Sequence, residues 1–348
     1  MKILHAALAA FFLAGAVHAA PFTELISFGD SLSDVGNVAG ITKPGIAPLV
    51  DGYYQQTHFS DNVIWNETLA AYWGLPTRTP GRDTWGPMSA ALSGNTWAWG
   101  GSESSANSVS PSWVTYPIPG LLQETSSYLA NFTPDATTLY SIWSGADNLL
   151  VGNSPSPAAA SAAVNTVKTA MVDLENAGAR NFLIINMPKI GDTPYAQSNG
   201  PTYIDAANVY STSYNTAMNS AIADLRADPN FQAKIYLVDV YTPLEQVVAS
   251  VTATGSYTPD FFVPGPPVTI TNVTDKALTY FQDNGTYPDG YFFWDIVHPT
   301  TQGHALVAGL ALQAIEGVPE IDPAGVGSVL ALVTGALGLL ERRRLKVA

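Results

Sequence analysis

Five short apolar runs, at residues 22–28, 95–99, 137–143, 181–186 and 234–240, are each bounded by Gly, Pro, Asp or Asn. Runs of this length are too short for independent helices and read as strands. Residues 156–177 set Val164, Val167, Met171 and Leu174 on one helical face, and Gly178 supplies a stop. Residues 205–227 and 300–315 carry two further helical patterns. Strand and helix in alternation mark βαβ units, in which parallel strands are joined by helical crossovers. The expectation is an α/β fold built on a mostly parallel sheet.

Several stretches escape that alternation. Residues 39–62, 75–93, 102–118 and 252–290 are rich in Gly, Pro, Ser and aromatic residues. Loops of this length inside a compact domain are commonly lids or substrate walls. Tyr53, Tyr54, Phe59, Trp65, Trp73, Trp85 and Trp113 are therefore candidates to line a cleft for sugars or acyl chains. For each of them, packing the loops down is the alternative.

The two ends have a different character. Lys2, the apolar run 3–17 and the small-residue finish at Ala19 and Ala20 have the layout of a secretory signal, residues 1–19. A buried N-terminal helix is the alternative, weakened by the lack of a polar face. At the other end, Val318-Pro319-Glu320 precedes an apolar stretch, 324–340, and a basic cluster at Arg342, Arg343, Arg344 and Lys346. An apolar helix of that length spans roughly 25 Å, a little short of a hydrocarbon core about 30 Å thick. Residues 318–348 resemble the bacterial PEP-CTERM sorting signals, which implies an exosortase as a processing partner or retention at the inner membrane. Here the motif reads Val-Pro-Glu-Ile-Asp-Pro and departs from Pro-Glu-Pro. The expected domain is thus residues 20–317, exported from a Gram-negative type of cell to the periplasm, cell surface or medium.

Between those ends, nine basic residues face 25 acidic ones. Such an excess of negative charge argues against nucleic acid or an anionic membrane surface as the main partner. The chain has no cysteine, which excludes a disulfide scaffold, thiolate metal sites and a cysteine nucleophile.

The chemistry concentrates in two places. Ser27-Phe28-Gly29-Asp30-Ser31-Leu32-Ser33-Asp34-Val35-Gly36-Asn37 follows the first strand directly, so Ser31 stands at the carboxyl edge of the sheet, where α/β proteins open their ligand crevices. A serine hydroxyl needs a neighbouring base to become a nucleophile. Of the five histidines, His5 and His18 fall in the signal and His58, His298 and His304 remain. His298 lies three residues after Asp295 in Phe293-Trp294-Asp295-Ile296-Val297-His298-Pro299-Thr300, a tether short enough for the carboxylate to orient the imidazole. Ser31, His298 and Asp295 can therefore form an acyl-transfer triad, which is recognised by roles and not by order in the chain. A helix N-cap for Ser31 and a helix-start position for His298 are the plainer alternatives. Metal chemistry and nucleotide binding find no supporting spacing. No cofactor or metal is implied.

Gly29-Asp30-Ser31-Leu32, with Asp34, Gly36 and Asn37, resembles the first block of the GDSL esterases and lipases, the SGNH hydrolases. Asp295-x-x-His298-Pro299-Thr300 resembles their last block, and the wording is closest to the secreted phospholipase/lecithinase/hemolysin-like branch. The resemblance implies a three-layer α/β/α sandwich, flavodoxin-like, with a five-stranded sheet. It implies an oxyanion hole made of the Ser31 N–H, a glycine N–H at Gly101 (Gly100 being the neighbouring choice) and an asparagine side chain. The family pattern Gly-x-Asn-Asp falls on Gly145-Ala146-Asp147-Asn148, with the last two residues exchanged. An ionised Asp147 would repel an oxyanion, whereas Asn148 can donate if the turn shifts by one position, so Asn148 is the expected third donor. The activity implied is hydrolysis of carboxylic esters in acyl lipids, phospholipids or acetylated polysaccharides. The alternative is a non-catalytic, surface-retained polysaccharide-binding protein on a degenerate hydrolase scaffold.

Overall fold

A computed structural model describes residues 21–39, 58–81, 94–110, 114 and 116–317. The proposed signal, the C-terminal tail and the aromatic residues Tyr53, Tyr54, Trp85 and Trp113 lie outside the described residues. In chain order the elements are β1 (Glu24–Gly29), α1 (Trp65–Trp73), α2 (Leu121–Asn131), β2 (Thr138–Trp143), α3 (Ala146–Leu150), α4 (Pro157–Asn176), β3 (Asn181–Ile185), α5 (Pro194–Ser198) and α6 (Pro201–Ala227). They continue with β4 (Lys234–Val238), α7 (Tyr241–Thr254), β5 (Asn272–Lys276), α8 (Ala277–Asn284), β6 (Tyr291–Phe293) and α9 (Thr301–Glu316).

β1, β2, β3 and β4 form one parallel sheet in that order. Side chains alternate across a strand, so each strand serves two cores. Ile26, Phe28, Tyr140, Ile142, Phe182 and Ile184 pack beneath α4 and α6, with Val164, Val167, Met171 and Leu174 of α4 supplying the facing surface. Leu25, Leu139, Trp143, Leu183, Ile185 and Val238 point the other way, toward α1 and α9. Every residue of β2 is buried, as a central strand covered on both faces requires. The three-layer α/β/α arrangement follows from that double burial. Among the described residues no helix is long and apolar enough to cross a membrane.

The expected fifth strand is only partly formed. Residues 95–99 run parallel to the free edge of β1 and bond to it: Ser27 N–H donates to Asn95 O at 3.1 Å, and the Trp97 and Trp99 N–H groups donate to Ser27 O and Gly29 O at 2.7 and 2.8 Å. The segment stays irregular because Asn95 turns its amide to the 77–79 backbone and Gly100-Gly101 ends the run at once. Counting it, the order is that of a flavodoxin-like sheet, with the second segment in the chain outermost beside the first.

Two further expectations are corrected. Residues 252–290 are not one long loop, since they contain the end of α7, then β5 and α8. β5 pairs with β6 in a small separate sheet. Trp65 and Trp73 are buried in the core between α1 and the sheet and do not line a cleft. Trp65 Nε1 donates to Ser33 Oγ at 3.2 Å, fastening α1 to the turn after β1.

That turn is held by a buried carboxylate. Asp34 Oδ1 accepts from the N–H groups of Gly36 and Asn37 at 2.7 and 2.6 Å, and Oδ2 accepts from Val38 and Gly100 at 3.0 and 2.9 Å. Asn37 then donates its amide to Thr96 O and Ala98 O, both at 2.8 Å. The turn and the 95–101 segment are thereby one body. Asp34→Asn turns an NH2 toward two buried N–H donors, and an unmet buried donor costs about 1–3 kcal/mol. Urea denaturation should show the variant less stable by about 2–4 kcal/mol; an unshifted midpoint would refute this account of the turn.

Candidate active site

β1 ends on Gly29, whose φ of +130° belongs to glycine. A Cβ there would collide with the Trp143 carbonyl oxygen of β2. Its N–H donates to Glu124 Oε2 at 2.8 Å, and the other oxygen of that carboxyl accepts from Ser102 Oγ at 2.6 Å. Glu124 is a buried link from α2 to both loops that sequence reasoning did not single out, and burial pushes its carboxyl well above the usual range. The chain then turns through Asp30, whose Oδ1 accepts from the Leu32 N–H at 3.1 Å, and presents Ser31 half-buried at the carboxyl edge of the sheet.

His298 arrives from the opposite end of the chain. The loop between β6 and α9 is folded on Asp295, whose Oδ1 accepts from the N–H groups of Val297 and His298, both at 2.8 Å. Trp294 N–H donates to His298 O, and Tyr195 N–H donates to Ile296 O, each at 2.8 Å, so the loop is clamped from both sides. The second Asp295 oxygen lies 2.6 Å from His298 Nδ1, and His298 Nε2 lies 2.8 Å from Ser31 Oγ. The Phe59 ring lies against the imidazole, with centroids 5.0 Å apart. Burial alone would raise Asp295, but His298 and the backbone donors outweigh it and hold the carboxyl below its usual range. The group therefore stays ionised, as an orienting acid must, and it fixes Nε2 as the ring atom free to take a proton from Ser31.

Across from His298 lie Gly100 and Gly101, the latter with φ of +86°. A Cβ on Gly100 would meet the Phe59 ring, so that close approach needs glycine. Ser31, Gly101, Asp147, Leu150, Ile190 and His298 all border one pocket of about 290 Å³. Behind it lies a smaller, almost wholly apolar cavity of about 60 Å³. Leu32, Pro188, Thr193 and Val297 form the wall common to both.

Asn148 does not join this group. Its Oδ1 accepts from the Ser104 N–H at 2.9 Å and its Nδ2 reaches toward Ser104 O, so the side chain serves the neighbouring loop. The physical reason is helix phase. α3 begins directly after Gly145, and successive residues point about 100° apart around a helix axis. Asp147 faces the pocket and Asn148 cannot. The shift of one position that sequence reasoning required does not occur. His304, a second histidine near the loop, is fully buried in α9, and burial pushes it down to about 3, which keeps it neutral.

A sequence model described as GDSL-like Lipase/Acylhydrolase matches residues 25–310. An uncharacterised protein from the trpE–trpG intergenic region of Pseudomonas putida is 27% identical over 86% of this chain and 50% of its own length. The thermolabile hemolysin of Vibrio parahaemolyticus is 22% identical over 85% of this chain and 65% of its own length. The chain thus spans between half and two thirds of those two relatives. It aligns with 92% of the phosphatidylcholine-sterol acyltransferase of Aeromonas hydrophila, at 24% identity over 86% of this chain.

Two outcomes follow from the geometry. Asp295→Asn keeps the loop's backbone bonds but leaves the imidazole without its anion, and kcat for ester hydrolysis should fall by about 10⁴ in a folded protein; a loss below tenfold would separate Asp295 from the chemistry. Asp30 is pushed up to about 7 by burial, against the opposing pull of the Leu32 N–H and His298. A carboxyl raised on folding stabilises most below its unfolded value near 4, and that contribution is withdrawn as pH rises toward 7. Melting temperatures between pH 4 and 7 should therefore decline less in Asp30→Asn than in the wild type, and parallel declines would contradict the assignment.

Proposed function

The chain belongs to the GDSL-like lipase/acylhydrolase family, and from that premise we propose that it is an exported serine hydrolase of carboxylic esters with apolar acyl groups. The observation that carries the reading is the line from Ser31 Oγ to His298 Nε2 to Asp295, at 2.8 and 2.6 Å, at the mouth of the 290 Å³ pocket. His298 takes the Ser31 proton as Oγ bonds to the ester carbonyl carbon, and Asp295 steadies the imidazolium. The carbonyl oxygen becomes an oxyanion beside the N–H groups of Ser31 and Gly101, where a well-placed donor lowers the barrier by about 3 kcal/mol. Collapse breaks the ester C–O bond, and the departing alkoxide takes the proton from His298. Water then gives a proton to His298 and its oxygen to the acyl carbon. Breakdown returns that proton to Ser31 and releases the acid.

The substrate side rests on the walls. Leu32 and Val297 flank the serine and the imidazole and, with Leu150, Val151 and Ile190, give the pocket an apolar lining suited to an acyl chain. One relative is named a phosphatidylcholine-sterol acyltransferase, and this reading places lipid and phospholipid esters ahead of acetylated polysaccharides. Export rests on the signal-like residues 1–19, and retention at the inner membrane, with or without exosortase processing, rests on residues 318–348.

Ser31→Ala should abolish hydrolysis of p-nitrophenyl esters while the melting temperature stays within a few degrees of wild type, and a fluorophosphonate should label the wild type at Ser31. Unchanged turnover in that variant would falsify the serine mechanism. Absence of labelling with retained affinity for an exopolysaccharide would favour the binding protein instead. Among esters from acetate to palmitate, phosphatidylcholine and acetylated xylan, preference for xylan would overturn the acyl-chain assignment.

A further inference from the structure

A carboxyl group stands where an oxyanion hole needs a donor. Asp147 is the second residue of α3, buried, and on the wall of the pocket that Ser31 and His298 share. Its carboxyl faces the backbone N–H of Gly101, the same N–H that the hydrolytic reading assigns to the oxyanion. A carboxylate at that place would do harm twice over. It would occupy the Gly101 donor, and it would set a negative charge against the negative charge developing on the substrate.

The surroundings favour the uncharged form. Asp147 lies within electrostatic reach of the carboxyls of Asp30, from the turn after β1, and of Glu103, from the loop after Gly101. From α6 the Tyr210 hydroxyl, which donates to Gly145 O at 2.8 Å, also feels its charge. His298 borders the same pocket from the β6–α9 loop. Burial and the two acidic neighbours push Asp147 well above the ordinary carboxylate range, while the Gly101 N–H opposes them. A carboxylic acid kept neutral by its site is an effective donor to an oxyanion.

We propose that Asp147 acts as a carboxylic acid, donating its O–H to the tetrahedral oxyanion as the third member of the hole with the Ser31 and Gly101 N–H groups. Asn148, bonded to Ser104, takes no part. The Asp147 proton stays on Asp147 throughout: the hydrogen bond tightens as Oγ adds to the carbonyl and slackens when the ester bond breaks. The inference rests on the serine-esterase reading and adds a protonation requirement to it. Turnover needs His298 neutral and Asp147 protonated, so the alkaline limb of the pH profile belongs to a carboxyl group.

The test is kcat/KM for p-nitrophenyl butyrate from pH 5 to 10, in the wild type, Asp147→Asn and Asp147→Ala, with active sites counted by fluorophosphonate. The wild type should lose about tenfold per pH unit on its alkaline side. Asp147→Asn carries an amide donor that does not titrate, so it should lack that limb and exceed the wild type at the alkaline end. Asp147→Ala should fall about 10²–10³-fold in kcat below Asp147→Asn at every pH, with KM within about twofold, as loss of one oxyanion donor does. Superimposable wild-type and Asp147→Asn profiles, or Asp147→Ala as active as Asp147→Asn, would overturn the proposal. Those results would leave the esterase reading standing, because it is judged separately by Ser31-dependent turnover of the wild type. Without such turnover at any pH, both fall.

Discussion

The Asp34 carboxylate sets the distance on which the site depends. Its two oxygens hold four N–H groups, three in the turn that carries Ser31 and one on Gly100. Burying a carboxylate costs several kcal/mol, and the penalty is offset in part here by hydrogen bonds that each contribute about 1.5–3 kcal/mol when one partner is charged. Burial still prevails, since the group is raised above its usual range. The stability gained from Asp34 is therefore modest and its geometric effect large. Ser31 and Gly101 cannot drift apart without breaking a buried network.

The same region gathers acidic groups. Asp30, Asp34, Glu124 and Asp147 are all buried around the serine turn, and each is pushed upward mainly by loss of water. Two of them have structural partners enough to explain their presence: Asp34 grips backbone and Glu124 joins Gly29 to Ser102. Asp30 and Asp147 are less fully partnered and stand closer to the reacting atoms. A folded domain tolerates such groups where a reaction uses them, and their closeness opposes ionising all four together.

Much of this was legible in the residues themselves. Ser31 directly follows a strand, and Asp295 and His298 are three residues apart, so the local chain already fixes what each can reach. The parallel sheet was equally legible, because 137–143 and 181–186 are apolar on both faces. What escaped depends on angles that spacing does not encode. Whether Asp147 or Asn148 meets the pocket is decided by where α3 starts. Residues 95–99 have a strand's composition, yet the Asn95 amide and the Gly100-Gly101 break keep them irregular. Trp65 and Trp73 sit in a nine-residue helix hidden among loop-like sequence, so their burial in the core was invisible to composition. β5, with the sequence NVTDK, has too few apolar residues to announce itself.

The hydroxyl and the imidazole that meet at 2.8 Å are 267 positions apart in the chain. A ribosome therefore delivers Ser31 just after the first strand of the parallel sheet and His298 only after the other three. Until the loop between β6 and α9 docks against the serine turn, the two groups stay apart. The pairing thus arises only in a molecule whose synthesis has passed β6, and no shorter fragment holds both groups.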